Sequence, residues 1–439
     1  MAEYYENSLL TLAATTHLQL LPDVPIGLED GVRLSYRRKD SGAEAGNIFV
    51  HRSKHINEQY QTEIRDSDLL SRAWVFQENL LSRRIIWFAP ACVFLECRSR
   101  SPINEHGESL EAWRPDGSPK PSGLVLKRLF PFDVGSTAYL TLRWYDVIEA
   151  YSALRFTYPE KDRMVALSGF AKEFEAAITA SNSRTRDRSW VQTAIIRHQY
   201  VAGLWTQQRH VDLLWEQAHP GRHVRLVNHP SWSWTSLYSE VLWIDRKVHK
   251  IKVMGDERVS SSSKWTTPAY ANLTINSNSD LGGFPSIEMR TNLQTVVVDR
   301  LLKGWEIECL FVTHYRPWIT DDLCRAVRST GVGARLCGWA SLERSRSEAA
   351  VEAPGESADH SPDDEVAGAE MLALLVSKTG LLSDECRGGY WYPYSRAYNV
   401  LFVKHLSDNK YERLGVGVLF GKDVDRGWAK HEPHDIVLV

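Results

Sequence analysis

The segment from residue 71 to residue 97 constrains the possible folds of this chain more than any other. Its apolar residues first recur at helical spacing around the polar pair Gln77 and Glu78, and an apolar run with strand character follows at once. A helix that leads directly into a strand belongs to a mixed helix-and-sheet architecture and brings a carboxylate to the edge of the sheet. We therefore predict a helix over residues 66–80, with polar N-cap candidates at its start, and a tight pair of strands over residues 84–97.

Charge and cysteine content exclude several classes of protein. The 52 Lys and Arg residues stand against 55 Asp and Glu residues, for a formal net charge of −3, which predicts no general attraction to nucleic acid or an anionic membrane. No apolar run approaches the ~18 residues of a membrane-spanning helix, and the first residues are acidic where a signal peptide is basic. The six cysteines form no Cys-x-x-Cys pair, so we expect reduced thiols in a cytoplasmic protein.

Composition divides the chain into regions of an α+β protein. Residues 1–98 predict an incomplete α/β unit, because a strand-like run near the start has nothing upstream to pair with. A connector rich in Ser, Pro and Gly covers residues 99–139. Helical spacing of apolar residues predicts a helical block over residues 140–227. It includes amphipathic segments at 144–154, 164–171 and 203–215.

The region from 228 to 439 is rich in tryptophan and in apolar runs that predict short strands, at residues 241–244, 273–275, 295–298, 310–312, 372–376 and 400–403. Within it, the acidic, Ala-, Ser- and Pro-rich stretch 341–370 predicts a disordered insertion between two strands. The segment Pro230–Ser236 alternates with period two, which predicts a strand with Trp232 and Trp234 on one face. These two indoles could form the aromatic wall of a substrate-binding cleft, but filling a core is the more common role of such residues.

The helix at 66–80 carries the strongest candidate for a site. Glu78 could be a catalytic or binding carboxylate, and Arg72 could orient it or hold an anion. Trp74 precedes Glu78 by four residues and shares its helix face, and Gln77 adds a polar side chain that could bind a substrate. The alternative is a structural network of hydrogen bonds and ion pairs that ties the helix to the sheet.

The remaining motifs give weaker signals. Cys92 and Cys97 have no His in their segment to activate them, so we predict core cysteines. The cluster His431–Asp435 has metal-ligand residues but a Pro among them and no Cys partners, so we predict no metal site there. The chain has no Walker loop, dinucleotide fingerprint or nucleophile elbow, and we predict no cofactor.

The pattern Arg72-x-Trp74-x-x-Gln77-Glu78, with the Leu-Ser step after it and the late pair Glu96-Cys97, resembles the last signature of the fungal heterokaryon-incompatibility (HET) domain. Residues 1–14 are similar to the second signature of that family. Six later segments resemble, in order, the C-terminal region that often follows the domain: 144–151, 161–169, 200–205, 213–215, 230–236 and 411–416.

This resemblance implies that residues 1–98 are a partial, Rossmann-like α/β remnant related to TIR-type domains, some of which cleave NAD. It also implies a role in self/non-self recognition or programmed cell death in filamentous fungi. Family members carry a Leu-Ser-Tyr-x-Trp-Gly-like signature upstream of the helix that Met1 opens here. We therefore expect the N-terminal half of the domain to be missing, and with it any NAD-cleaving activity. The expected partner is an unknown protein or a small-molecule ligand.

Two alternatives stay open. The scaffold could be an enzyme of fungal secondary metabolism that cyclises or rearranges an apolar small molecule in a Trp-rich pocket, with Glu78 supplying acid/base chemistry. It could also be a stable remnant without activity.

Overall fold

The structure is a computed structural model, which describes fourteen stretches of the 439-residue chain. These are residues 2–15, 32–50, 55–90, 92–110, 137–186, 199–205, 209–218, 224–243, 266–276, 285–302, 324–330, 334–343, 367–380 and 396–439. The chain forms two compact units. The N-terminal unit comprises residues 1–133, 154–156 and 165–172, and the C-terminal unit comprises residues 134–153, 157–164 and 173–439.

The described residues of the N-terminal unit before residue 111 form three helices and six strands. Its helices are α1 (Ala2–Asn7), α2 (Ile56–Tyr60), which continues as a π-helical turn (Gln61–Arg65), and α3 (Ala73–Leu81). Its strands are β1 (Thr11–Ala14), β2 (Val32–Arg37), β3 (Glu44–Val50), β4 (Arg84–Phe88), β5 (Val93–Cys97) and β6 (Arg100–Asn104).

A small mixed sheet organises this unit. Its strand order is β1-β4-β5-β6, with β1 parallel to β4 and the other neighbours antiparallel, whereas β2 and β3 form a separate hairpin. Ile85, Trp87 and Phe94 point to one face of the sheet, where they pack against Tyr60 and Ile64. The predicted helix-to-strand step and the strand pair over 84–97 are thereby confirmed.

The helix begins at Ala73 rather than at residue 66, so the predicted start was wrong. The preceding residues form turns in which the Ser67 and Ser71 hydroxyls each donate, at 2.6 Å, to the carbonyl oxygen three residues earlier. A hydroxyl that satisfies a turn carbonyl in this way favours the turn over the helix. Arg72 occupies the N-cap with an extended backbone, φ −91° and ψ 131°.

The first part of the C-terminal unit combines two long helices with short strands. The helices are α4 (Thr137–Ser152), α5 (Pro159–Arg186), of which 165–172 group with the N-terminal unit, and α6 (Arg209–Asp212). The strands are β7 (Tyr200–Val201), β8 (Leu204–Trp205), β9 (Trp215–Gln217), β10 (Val224–Arg225), β11 (Leu237–Tyr238) and β12 (Val241–Trp243).

The described residues of the amphipathic segment predicted over 203–215 form β8, the short helix α6 and the start of β9 instead of one long helix, and the reason is local. Gly203 has φ +94°, which turns the chain between β7 and β8 and which a side chain would strain. Asp212 then accepts a hydrogen bond from the backbone N–H of Trp205 at 2.7 Å, which holds the chain folded back on itself. Apolar spacing in this segment therefore reflects burial on several sides rather than one helix face.

The rest of the C-terminal unit is dominated by longer strands. These are β13 (Thr266–Pro268), β14 (Ala271–Asn276), β15 (Ser286–Thr291), β16 (Leu293–Leu301), β17 (Cys324–Ser329), β18 (Leu336–Leu342), β19 (Ala369–Gly380), β20 (Arg396–Ser407), β21 (Lys410–Phe420) and β22 (His434–Leu438). Helix α7 (Lys422–Lys430) lies between β21 and β22.

Six of these strands close into an antiparallel barrel. The pairing runs β16-β17-β18-β21-β20-β19 and returns from β19 to β16. The predicted strand runs at 295–298, 372–376 and 400–403 lie in β16, β19 and β20. The run at 310–312 lies outside the described residues, as does most of the predicted insertion, of which residues 341, 342, 369 and 370 belong to strands β18 and β19.

The barrel interior is filled by side chains, and α7 packs onto this core. Apolar residues of the strands, mainly valines, alanines and leucines, form the cluster, and Val424 and Trp428 of α7 join it. Asn292 holds the end of α7 by donating hydrogen bonds to the carbonyl oxygens of Trp428 at 3.1 Å and His431 at 2.8 Å. A six-stranded barrel has room for side chains rather than an open channel.

Glycines in β18 and β21 allow the close approach of these two strands. A Cβ atom added at Gly417 would overlap the carbonyl oxygen of Trp339, and one added at Gly338 would overlap that of Val418. Backbone atoms cannot rotate away as a side chain does. The barrel therefore depends on the absence of side chains at these positions.

We predict that Gly417→Ala lowers the free energy of unfolding by at least about 3 kcal/mol, because the clash can be relieved only by moving a paired strand. Lys404→Ala in the neighbouring strand β20 is the control, since Lys404 is exposed, and should change stability by less than about 0.5 kcal/mol. Urea denaturation followed by tryptophan fluorescence measures both. Equal stabilities of the two variants would contradict the packing argument.

Candidate functional site

Helix α3 presents the predicted site residues of the N-terminal unit in distinct environments. Gln77 is buried, Trp74 and Glu78 are partly exposed, and Arg72 is exposed at the N-cap. Trp74 and Glu78 are one helical turn apart and share the more accessible face, as their spacing predicts. Trp232 and Trp234 belong to the C-terminal unit, so the six predicted residues do not form one cluster within either unit.

Glu78 is the ionisable group of this helix with a perturbed proton affinity. Burial raises the pKa of the Glu78 carboxyl above its ordinary value, while a hydrogen bond from Tyr5 and the charge of Arg72 oppose that rise. Burial also raises the pKa of Tyr5, and the Glu78 charge adds to this effect. A carboxyl whose pKa is raised toward neutrality is suited to proton transfer.

Tyr5 was not among the predicted site residues. It comes from α1, which contacts α3, and its hydroxyl reaches Glu78 across 73 positions of sequence. The spacing of residues in α3 could not reveal it. The one available signal was the tyrosine pair Tyr4-Tyr5 in the segment that resembles the second HET signature.

The end of α3 is tied to the sheet, which fixes the position of Glu78. The Ser82 hydroxyl donates to the Glu78 carbonyl oxygen at 2.7 Å and lies 2.8 Å from the Thr11 hydroxyl of β1. Arg98, at the end of β5, donates to the carbonyl oxygens of Leu80, at 3.3 Å, and Leu81. Orphan carbonyls at the helix C-terminus are thereby satisfied by the C-cap residue Ser82 and by Arg98, and Ser82 also contacts β1.

A second carboxylate of this unit is part of the core. Glu96 is 1% exposed, and its Oε2 atom accepts hydrogen bonds from the Tyr60 hydroxyl at 2.9 Å and the Trp87 indole N–H at 2.7 Å. The next residue of the strand, Cys97, points to the opposite face and is partly exposed, so the prediction of a core cysteine was wrong there. Cys92 is buried, as predicted.

The segment with Trp232 and Trp234 is a turn, not the predicted strand. Residues Trp234–Ser236 form a 3₁₀ helix that Ser233 caps by accepting the Thr235 N–H at 3.1 Å. Hydroxyl side chains that bond to the local backbone favour such turns over strands. Both indoles are completely buried, and the Trp234 N–H donates to the carbonyl oxygen of Gly203 at 2.9 Å.

A group of aromatic rings near these turns is closely packed. The ring centroids of Trp144, Phe174, Tyr200 and Trp205 lie between 4.8 and 5.4 Å apart wherever two of them are in contact. Rings at this distance touch one another and leave no space for a ligand between them. This group is therefore a core.

Two completely buried arginines bind this region together. The Arg163 guanidinium donates to the Ser239 carbonyl oxygen at 3.0 Å and lies 5.1 Å from the centre of the Trp234 ring. Burial lowers the pKa of Arg163 to about 10, which leaves it charged at neutral pH. The Tyr151 hydroxyl donates to the Arg163 carbonyl oxygen at 2.9 Å and fixes the backbone there.

Arg413 of strand β21 is the second buried arginine. Its guanidinium lies 3.6 Å from the centre of the Trp215 ring and donates to Glu343 at 2.7 Å. It also donates to the carbonyl oxygens of Leu213, at 2.5 Å, and Trp215. Arg225 binds the other oxygen of Glu343 at 2.6 Å. All these groups belong to the C-terminal unit.

Five of the six segments that resemble the region after the HET domain lie entirely within the C-terminal unit, and the sixth, 161–169, contributes residues 161–164 to it. Contacts join several of them: Tyr151 bonds to Arg163, Arg163 lies over Trp234, and Arg413 lies over Trp215. Their tryptophans and arginines are buried structural groups. The common feature of these motifs is therefore burial.

No protein-family model, curated protein or solved structure matches this chain. Among the described residues, no three or more His, Cys, Asp or Glu side chains are grouped so as to hold a metal ion. The described part of the chain has no helix with the length and apolar character needed to cross a membrane.

We predict that Glu343→Gln lowers the free energy of unfolding by about 3–5 kcal/mol, because Arg413 then keeps a buried charge without its counter-ion. Glu412→Gln is the matched control: this carboxylate also binds Arg225, at 3.3 Å, but is 32% exposed, and its loss should cost less than about 1 kcal/mol. Denaturant titrations of both variants test the difference. Similar losses of unfolding free energy in the two variants would show that the buried charge of Arg413 does not need Glu343 as its counter-ion.

A second prediction concerns pH. The folded chain binds the Glu78 proton more tightly than the unfolded chain, so this carboxyl stabilises the fold below its ordinary pKa of 4.5. That contribution is lost as the pH rises through the raised pKa of the folded state. Glu78→Gln should therefore gain stability relative to the parent between pH 4 and pH 7, and Tyr5→Phe should raise the pKa of Glu78 further. Carboxyl NMR titration measures the pKa, and a lower value in Tyr5→Phe would contradict the assignment.

Proposed function

We propose that this chain is a HET-like protein that acts in fungal self/non-self recognition or programmed cell death, with Glu78 as its functional carboxylate. The observation that carries the proposal is that Glu78 is held in a half-buried position where its charge is disfavoured. Groups kept at a cost to stability are typical of functional sites. We propose a cytoplasmic location and a protein or small-molecule partner for this site.

The contrast between the two carboxylates of the N-terminal unit supports this assignment. Glu96 accepts hydrogen bonds from two buried side chains and is itself buried, which is the arrangement of a structural group. Glu78 is partly accessible and has Tyr5 and the exposed Arg72 beside it. Tyr5 can hold a proton next to the carboxylate, and Arg72 can attract an anion to the same place.

The resemblance of the sequence to the HET domain supports a role in recognition or cell death over a role in metabolism. Two segments, 1–14 and 72–97, resemble two signatures of the HET domain. They form strands β1, β4 and β5, which belong to one small sheet, and helices α1 and α3 of the same unit. The alternative of an enzyme with a Trp-rich pocket gains less support, because Trp232 and Trp234 are completely buried and the neighbouring aromatic group is closely packed. We therefore propose a signalling role rather than catalysis on an apolar molecule.

Inducible expression in a filamentous fungus tests the proposal. We expect the parent chain to reduce viability, as measured by exclusion of a vital dye, and Glu78→Gln to abolish the effect at equal protein level. Glu58→Gln is the control, since Glu58 is an exposed carboxylate on α2 of the same unit and should leave toxicity unchanged. Full toxicity of Glu78→Gln, or a harmless parent chain, would contradict the proposal.

A further inference from the structure

Cys97 lies on the open face of the N-terminal sheet. Residues alternate between faces along β5, so that Phe94 and Glu96 are buried while Leu95 and Cys97 are at least partly exposed. The alternation gives the two residues of the Glu96-Cys97 pair opposite environments. The carboxylate is part of the core, and the thiol is accessible.

Two arginines flank this thiol in the register of the sheet. Arg84 of β4 lies directly opposite Cys97 on one side, and Arg100 of β6 lies directly opposite on the other. Directly opposed residues point to the same face, with their Cβ atoms about 4.5–5.5 Å apart. The Arg98–Ser99 turn joins β5 to β6 and places the Ser99 hydroxyl 3.5 Å from the Cys97 sulfur.

The two flanking guanidinium groups are available to an anion. Both arginines are exposed, and no carboxylate of the described residues forms an ion pair with either of them. Arg84 makes one long contact, 3.5 Å, with the Leu9 carbonyl oxygen. Arg98 is turned away, toward the carbonyl oxygens at the end of α3.

The electrostatic surroundings favour the thiolate at Cys97 and disfavour it at Cys337. Burial alone would raise the pKa of Cys97, but hydrogen bonds from Ser99 and Arg100 and the charge of Arg100 lower it below its ordinary value. Cys337 is buried, and burial raises its pKa to about 12. Cys324 is also buried, and Cys92 lies 3.6 Å from the Glu63 carboxylate. A thiolate that is accessible and next to cations is the reactive form of cysteine.

We infer that Cys97, with Arg84 and Arg100 on either side, is a site of reversible thiol–disulfide exchange with small disulfides that carry carboxylates. The arginines would bind the carboxylates of the disulfide, and the thiolate lies between them. The ligand chemistry follows from the site, which combines one nucleophilic sulfur with two unpaired cations on one face of a sheet. A neutral disulfide could react with the sulfur but would gain nothing from the arginines.

The exchange is balanced without any further reactant. The Cys97 thiolate attacks one sulfur of the disulfide, a new sulfur–sulfur bond forms, and the original sulfur–sulfur bond breaks. The leaving sulfur departs as a thiolate with the electron pair and takes a proton from water. Cys97 is oxidised to a mixed disulfide, and the departing half of the reagent is reduced to its thiol.

Glutathione disulfide is the probe for the experiment, because each half carries carboxylates, and neutral bis(2-hydroxyethyl) disulfide is the comparison. The intact chain is treated with limiting reagent, and peptide mass spectrometry follows all six cysteines, including Cys309 and Cys386, which lie outside the described residues. We expect Cys97 to acquire a glutathionyl group first and to lose it on treatment with dithiothreitol. Earlier modification of Cys92, Cys324 or Cys337 would overturn the inference.

The role of the arginines is tested by the ratio of two rates, those at which Cys97 reacts with glutathione disulfide and with the neutral disulfide. In Arg84→Gln/Arg100→Gln, the preference of Cys97 for glutathione disulfide over the neutral disulfide should fall about fivefold, as expected for the loss of two surface charges. The control Arg37→Gln/Arg38→Gln removes two exposed arginines at the β2–β3 hairpin and should leave the preference unchanged. An unchanged ratio in the first variant, or an equal fall in the control, would overturn the role of the arginines. Circular dichroism verifies that each variant is folded.

Discussion

The C-terminal unit depends on the burial of one positive charge, that of Arg413. A guanidinium removed from water costs several kcal/mol unless every donor finds a partner and a negative charge lies close by. Here Glu343 supplies the charge and accepts from Nε, the carbonyl oxygens of Leu213 and Trp215 accept from the two terminal nitrogens, and the Trp215 ring covers one face. Arg413 belongs to a barrel strand and Glu343 directly follows another, whereas Leu213 and Trp215 belong to the short segments before the barrel. The network therefore joins two parts of the unit that the chain itself separates widely.

Two tryptophans of this unit have a role that these contacts define. An indole offers a large apolar area, a ring face for a cation and a single N–H that must be satisfied when it is buried. Trp215 uses all three, since its ring covers Arg413 and its N–H donates to the Trp232 carbonyl oxygen at 3.0 Å. Trp234 does likewise with Arg163 and Gly203. These two indoles thus accommodate buried arginines, and their burial needs no ligand to explain it.

Local structure could be predicted from the sequence where the decisive contacts are near in sequence. The step from α3 to β4 and the antiparallel pair β4–β5 follow from apolar spacing within some 25 residues of chain. The barrel could not be predicted, because its closure pairs Leu293 of β16 with Leu374 of β19, and periodicity does not identify a distant partner. The period-two pattern around Trp232 and Trp234 failed for a local reason: the intervening Ser233 hydroxyl bonds to the backbone and turns the chain.

Only part of the candidate site could be predicted from the sequence: the carboxylates could be named, but their surroundings could not. Glu78 and Glu96 carry the same functional group within one signature, and their positions in the sequence do not distinguish their roles. Their surroundings do: Glu96 has two neutral donors in the core, whereas Glu78 has a phenol from another helix and a cation at the surface. A buried carboxylate that two core donors hold is part of the fold, whereas a carboxylate whose charge is disfavoured by burial is kept at a cost to stability. For this chain that difference, rather than the motif itself, selects Glu78 as the group to which a function can be assigned.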